Sequence, residues 1–443
     1  MTDSKTERLG RESIPRLVLR FASTTLVALV LHSVYTLLDA LFVSWGVGVD
    51  AMGGVSIVFP FVVLQGAIAT AVGSGAASLV SRRLGEGKPG EAGEITLNAM
   101  LVFYGTAILT TVLGFIFMEP LLGTLGVTGE LHTYAKQYFI IILAGNVFST
   151  GFSNIIRAEG KMRYALLIWV IPVTLNTILD AIFIFVLGMG VRGSALGTVI
   201  GQFVSCCMSI LFFTRFSSQK FRGARFRLKR VGEVLAIGLP SLVQMGSLSI
   251  MAALLNNVLS NAGGTLGINA FACINKSMTF ALVPFTAITQ ALSPIVGYSY
   301  GLGKIDRVRK TIRFCLLISF AYAIAALFLV EAIPGLLMRI FTDNTEVIAL
   351  GVDGLRIIAV ALLFLPLPML AGAAFQAMGQ KTRAFLMYAA NLVFLIPAAL
   401  LMARFFGLAG VWWAYVVASV FACGLGVSQL RFLFHQKSLN SGA

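Results

Sequence analysis

Apolar runs of roughly eighteen residues or more recur from one end of the chain to the other, and this feature decides most of what the chain can fold into. A helix of that length crosses about 30 Å of hydrocarbon. Of the 443 residues, 58% are hydrophobic and 12% charged, whereas about a quarter of an ordinary soluble domain is charged. A water-soluble fold is excluded. A transmembrane barrel would show short segments of alternating polarity, and the runs here do not alternate. Because lipid offers no partners to backbone N–H and C=O groups, a chain of long apolar runs must be an all-α integral membrane protein.

Charged and Gly/Pro breaks divide the runs into twelve predicted transmembrane helices, at about 14–44, 53–80, 95–118, 133–154, 163–187, 194–214, 233–261, 268–299, 311–332, 346–375, 383–404 and 408–432. An even number puts both termini on one side. The segments on that side carry 27 of the 33 lysines and arginines, from the N-terminal stretch through Arg20 to Arg431 and Lys437. By the positive-inside rule that side is the cytoplasm, in a bacterial or archaeal inner membrane. The net charge of +15 is therefore an orientation signal and an attraction to anionic membrane lipids; nucleic acid is not an expected partner. The polar N-terminus, Met1 to Glu12, precedes an apolar run too long for a signal peptide, so the first helix is expected to remain in the mature protein.

The two halves repeat at an offset of about 216 to 219 residues. Gly48-Val49-Asp50-Ala51 answers to Gly267-Ile268-Asn269-Ala270, and Leu84-Gly85-Glu86-Gly87-Lys88 to Tyr300-Gly301-Leu302-Gly303-Lys304. Arg157-Ala158-Glu159-Gly160 answers to Gln376-Ala377-Met378-Gly379, and Gly190-Val191-Arg192-Gly193 to Gly407-Leu408-Ala409-Gly410. The predicted architecture is two pseudo-symmetric six-helix bundles: an N-lobe over 1–214, a basic cytoplasmic linker over 215–232 and a C-lobe over 233–443. Parallel repeats of six helices are a transporter arrangement, with the binding cavity expected between lobes.

Sixteen of the 18 acidic residues fall in loops or near helix ends; the exceptions are Asp39 and Asp180. A carboxylate inside a span costs at least about 2.5 kcal/mol on insertion scales and marks an ion or substrate site. Seven residues separate Asp39 from the turn at Gly46 and eight separate Asp180 from Gly188, so both lie roughly 10 to 12 Å below the outer surface. Asn176 precedes Asp180 by one turn and shares its helical face, and Thr198 lies at similar depth on the next helix. Asp39, Asn176, Asp180 and Thr198 together form an oxygen-rich set suited to H⁺ or Na⁺.

His32 and Tyr35 stand at helical spacing from Asp39, which fits either a proton relay or a hydrogen bond to a neighbouring helix. Lys276, the basic residue far from the cytoplasm in the second half, fits either snorkelling to the outer interface or a cation in the cavity. Met245, Met251, Met278, Phe280 and Phe285 fit either an adaptable substrate cavity or bundle core. The five cysteines lie in apolar runs without ligand spacing and read as small core residues. HExxH, Walker A and GxSxG motifs are absent, so neither an enzyme nor a cofactor is expected, and pumping would draw on an ion gradient.

These residues resemble the multidrug and toxic compound extrusion (MATE) transporters, DinF-like branch. The likeness covers nearly the whole chain and is carried by Asp39, by Arg157-Ala158-Glu159-Gly160-Lys161, by Pro172 followed by Asn176 and Asp180, and by the turn ending in Lys304. It implies a monomeric secondary transporter that exports lipophilic organic cations by alternating access in antiport with H⁺ or Na⁺. It also implies a first-lobe cation site at Asp39, Asn176, Asp180 and Thr198. The NorM-like branch uses further acids on helices 7 and 10, where this chain has only Glu233 and Asp353 near helix ends. A flippase of lipid-linked or amphipathic substrates, from the same superfamily, is the alternative.

Overall fold

The computed structural model describes residues 4–124, 129–149 and 151–435, and among them every element is helical. In chain order these are α1 (Ser4–Arg11), α2 (Ile14–Gly46), α3 (Val49–Gly85), α4 (Pro89–Thr124), α5 (Gly129–Gly145), α6 (Phe152–Ala158), α7 (Met162–Ala181), α8 (Val191–Arg215), α9 (Leu228–Gly301), α10 (Ile305–Ala332), α11 (Pro334–Arg339), α12 (Thr345–Ala359), α13 (Pro366–Ala377) and α14 (Lys381–His435). Lys437, counted above with the cytoplasmic charges, lies outside the described residues.

Among the described residues nine helices are long and apolar enough to cross a membrane; a tenth span is the pair Thr345–Leu363 and Pro366–Ala377, bent by 45°. The twelve predicted spans are recovered because the two longest helices are not single spans. α14 is interrupted at Gly407 (φ 58°, ψ −137°) and α9 at Gly264 (φ 57°, ψ −153°). Only glycine enters that backbone region without strain, and each run is broken there into two helices. Gly190, the repeat partner of Gly407, has nearly the same dihedrals (φ 59°, ψ −141°), so the repeat seen in sequence is a repeat of backbone conformation. The second-half turn corresponding to Gly48 falls at Gly264, three residues before the position the sequence alignment favours.

Packing divides the chain into two units. One contains residues up to Arg11 together with Ser23–Gly238; the other contains Glu12–Ala22 and the chain from Leu239 onward. Within the first unit, the segment 215–232 is fastened along much of its length. The Arg230 guanidinium binds Glu91 at 3.0 Å, Glu94 at 3.2 Å and Glu233 at 3.0 Å. Asn98 accepts from the Arg227 amide at 2.9 Å and donates to the Arg225 carbonyl at 2.9 Å. The fully buried Glu159 carboxylate accepts from Ser217 Oγ and the Ser218 amide at 2.6 Å and from Gln219 Nε2 at 2.8 Å. Burial pushes the Glu159 carboxyl above the usual carboxylate range, against the pull of those donors. α1 joins the same cluster through Thr6, whose hydroxyl donates to the Glu159 carbonyl at 3.2 Å. The start of α9 also belongs here: a Cβ on Gly238 would strike the Ala71 carbonyl, and one on Gly75 the Val234 carbonyl, so α3 and α9 cross backbone to backbone.

The second unit packs around Phe285, Trp412 and Leu355, with Phe271 stacked on Trp412 at 6.1 Å and Phe285 edge-on to Tyr322 at 5.0 Å. Arg309 donates to the Leu433 carbonyl at 3.1 Å and so anchors the end of α14.

Candidate functional site

α7 and α8 meet along a stripe of small residues in the first unit. A Cβ on Gly193 would sit 2.8 Å from Phe183 Cβ, one on Gly201 3.1 Å from the Pro172 carbonyl, and one on Gly197 would fall onto Asp180 Oδ1. Glycines at four-residue spacing let the two helices approach closely, as in small-xxx-small membrane contacts. That approach makes room for Asp180 and Asn176, which are 0% and 3% exposed. A π-helical turn, Ile182–Val186, then closes α7. Such turns insert extra backbone and often adjoin functional residues. Here it drives Ile184 into a cluster with Val43, Ala51 and Val191, against the C-terminal end of α2.

Four helices supply the site. α2 brings Asp39 and Tyr35, α5 brings Tyr138, α7 brings Asn176 and Asp180, and α8 brings Ser194 and Thr198. Ser194 Oγ donates to Asp39 Oδ1 at 2.9 Å, and Asn176 Nδ2 donates to Thr198 Oγ1 at 3.3 Å. The Asp39 and Asp180 carboxyl groups adjoin, with Tyr35 and Tyr138 beside them and their hydroxyls at Thr198. Asn176 Oδ1 and both oxygens of Asp180 are buried without a hydrogen-bond partner. Three orphaned acceptors beside a second carboxylate form an arrangement that nearby donors do not satisfy. A proton shared by the carboxyls, or a small cation among the oxygens, resolves it.

The structure therefore brings Asp39, Asn176, Asp180, Thr198 and Tyr35 together. His32 is placed otherwise: its ring lies edge-on to Trp169 at 5.2 Å and 6.0 Å from that of Tyr35. That is a packing contact between α2 and α7.

In the second unit, Met278 and Phe285 are core side chains and Met251 packs on the same core. Met245 and Phe280 are surface-exposed, Phe280 at 61%. The Lys276 ammonium lies over the ring of Phe341 at 5.7 Å, in the short segment after α11.

Two members of the site escaped sequence reasoning. Ser194 was within reach, since it precedes Thr198 by one helical turn and shares its face. Tyr138 gave no signal: it sits among apolar neighbours in the core of α5, and only tertiary packing brings it to the carboxyls.

A family model, MatE, matches residues 25–182 and again 240–401, once in each half of the chain. The chain belongs to the MatE family. Its helices are those of a multi-pass membrane transporter. It is 23% identical over 433 residues to the multidrug export protein MepA of Staphylococcus haemolyticus, with 94% of this chain and 93% of that protein covered. Among solved structures it is similar to a MOP superfamily transporter from Pyrococcus furiosus reported with a binding pocket of reverse polarity (TM-score 0.92, 23% identity, 99% and 100% covered). It is also similar to a multidrug resistance MATE family transporter in an outward-facing conformation (TM-score 0.91, 24% identity, 98% and 99% covered).

The MatE repeat also shows what the second unit lacks. Carried across at the offsets given above, Asn176 and Asp180 answer to Leu395 and Ala399, and Ser194 and Thr198 to Val411 and Tyr415. Leu395, Ala399 and Val411 are buried in the second unit's core and Tyr415 packs on it. At these four positions the second unit carries one oxygen, the Tyr415 hydroxyl.

Proposed function

We propose that this MatE protein is a secondary active multidrug efflux transporter. It exports lipophilic organic cations from the cytoplasm in antiport with H⁺, or with Na⁺, by alternating access, and it lies in the inner membrane with both termini cytoplasmic. The observation that carries this reading is the pairing of Asp39 with the buried Asp180, whose two oxygens, like Asn176 Oδ1 beside them, have no hydrogen-bond partner. A site built from two carboxylates and neutral oxygens, with no lysine or arginine among its members, favours positive charge and disfavours strong anions. The multidrug export activity named for the MepA relative is consistent with this.

Coupling follows from mutual exclusion. Two adjoining carboxylates in a low-dielectric bundle repel when both are charged, so the pair holds a proton unless a cation replaces it. Proton entry and release of a cationic substrate are then linked, each weakening the binding of the other. Uptake of a fluorescent lipophilic cation into everted vesicles, with the proton and sodium gradients collapsed in turn, tests the proposal. Accumulation should vanish with one gradient and survive loss of the other. Accumulation that survives loss of both overturns it.

A further inference from the structure

In the first unit the guanidinium groups of Arg83 and Arg230 are taken up by carboxylates. One end of the second unit has few carboxylates to offer. The segments 304–313, 381–383 and 431–434 carry eight lysines and arginines against one acid, Asp306, which lies 3.4 Å from Arg309. Arg309 also serves the end of α14 through its bond to the Leu433 carbonyl, where a helix favours positive charge. Arg313 and Arg383 rest on aromatic rings instead. Arg313 Cζ is 4.8 Å from the centre of the Phe434 ring, and Arg383 Cζ is 4.4 Å from that of Phe432 and 5.7 Å from that of Phe375. A ring contact holds a guanidinium in place and leaves its in-plane N–H donors for another acceptor. Among the described residues neither Arg313 nor Arg383 has a carboxylate partner or a hydrogen-bond acceptor. Arg313 is exposed, Arg383 is half-buried, and Phe432 beside it is 55% exposed. Lys310, also exposed, stands one turn before Arg313 on the same helical face.

Lipid headgroups reach this place. Arg383 and Phe432 belong to opposite ends of α14, so their contact brings both ends of that run together, and Arg313 over Phe434 adds the start of α10. All three are ends of candidate membrane spans, and span ends lie at the headgroup layer. Basic pockets between spans hold phosphate headgroups, and arginine grips a phosphate through two N–H donors at once. We propose that the ring-seated pair Arg313 and Arg383, with Lys310, forms a binding site for the phosphate of an anionic phospholipid at this end of the second unit. The inference is independent of the coupling ion and of the exported substrate.

Native mass spectrometry of the purified full chain, titrated in detergent with dioleoylphosphatidylglycerol, reads the bound lipid directly. The wild type should retain it and should hold zwitterionic dioleoylphosphatidylcholine much more weakly. A basic residue facing an anionic lipid is worth about fivefold in binding, so Arg313→Gln with Arg383→Gln should weaken retention about thirtyfold. Phe432→Ala leaves the charge unchanged and removes a seat of Arg383; it should cost about two- to fivefold. Arg222→Gln with Lys229→Gln removes the same charge from exposed positions of the first unit and should bind as wild type. If the glutamine pair does not fold, Arg313→Lys with Arg383→Lys keeps the charge, loses the guanidinium fork and should show a partial loss. Wild-type retention by the folded double variant, or an equal loss in the first-unit control, overturns the site. Displacement of the lipid by an equal concentration of inorganic phosphate overturns the lipid as its occupant.

Discussion

Gly197 is the position where one methyl group should do most harm. Its Cβ would fall onto Asp180 Oδ1, 3.3 Å from Asp180 Cγ and 3.4 Å from Asn176 Nδ2. Because the helices already touch along the Gly193, Gly197 and Gly201 stripe, α7 cannot retreat without losing that packing. Asp180 therefore moves, or the helices part. Overpacking of this kind costs about 1–3 kcal/mol, against up to ~1 kcal/mol gained from the better helix propensity of alanine. The functional cost should exceed the stability cost, because displacing Asp180 from Asp39 disturbs the charge pair itself. Three variants give a graded series. Gly105→Ala, on an exposed face of α4 with nothing within 4 Å, should melt and pump as wild type or slightly better. Gly201→Ala, 3.1 Å from the Pro172 carbonyl, should be intermediate. Gly197→Ala should lose at least about tenfold in gradient-driven efflux while still inserting into the membrane. Melting temperature in detergent and efflux from liposomes, measured on the same preparations, provide the comparison. Wild-type efflux by Gly197→Ala would refute the packing argument.

Glu159 predicts a pH dependence of stability. Since burial raises its carboxyl in the fold, the folded protein holds a proton there that the unfolded chain has released, and stability from this group falls as pH rises through that window. Melting temperature should therefore decline with rising pH more steeply in wild type than in Glu159→Gln; identical slopes would contradict it. Arg230→Ala leaves Glu91, Glu94 and Glu233 without their shared partner and should lower stability by about 2–3 kcal/mol, with Arg230→Lys recovering only part because it lacks the guanidinium fork. Phe285→Ala should cost about 3–5 kcal/mol in a melting experiment, as a core deletion does, without changing which dyes are exported. A changed dye spectrum at unchanged stability would restore Phe285 to a cavity wall.

The twelve spans and the repeat were legible because both are written in one-dimensional patterns, run length and recurring turn glycines. That Asp39, Asn176, Asp180 and Thr198 lie together was legible because carboxylates inside apolar runs are so costly that they stand out singly, and the face and depth of a helix follow from counting residues. What remained hidden depends on contacts between distant segments. Nothing in the linear order shows that the basic segment 215–232 folds onto Glu91, Glu94 and Glu159, so in sequence it reads only as a basic linker between the lobes. Tyr138 looks like any other core aromatic of α5. The Met and Phe residues of the second half could equally have lined a cavity or filled a core, since periodicity is the same in both; burial of Met278 and Phe285 in one cluster separates the two. His32 shared the stripe of Asp39 by spacing, yet its neighbour on α7 is Trp169.

Asp39→Asn and Asp180→Asn, each reconstituted in liposomes with an imposed proton gradient, test the coupling site most directly. Both substitutions keep the side-chain shape and remove a charge, so insertion and melting should stay close to wild type. Uphill movement of a lipophilic cation should be abolished in each, whereas Asp353→Asn and Glu233→Gln, which lie outside the cluster, should pump. If Asp39→Asn or Asp180→Asn drives uphill efflux at the wild-type rate with the wild-type dependence on pH, the first unit's carboxylate pair does not couple transport.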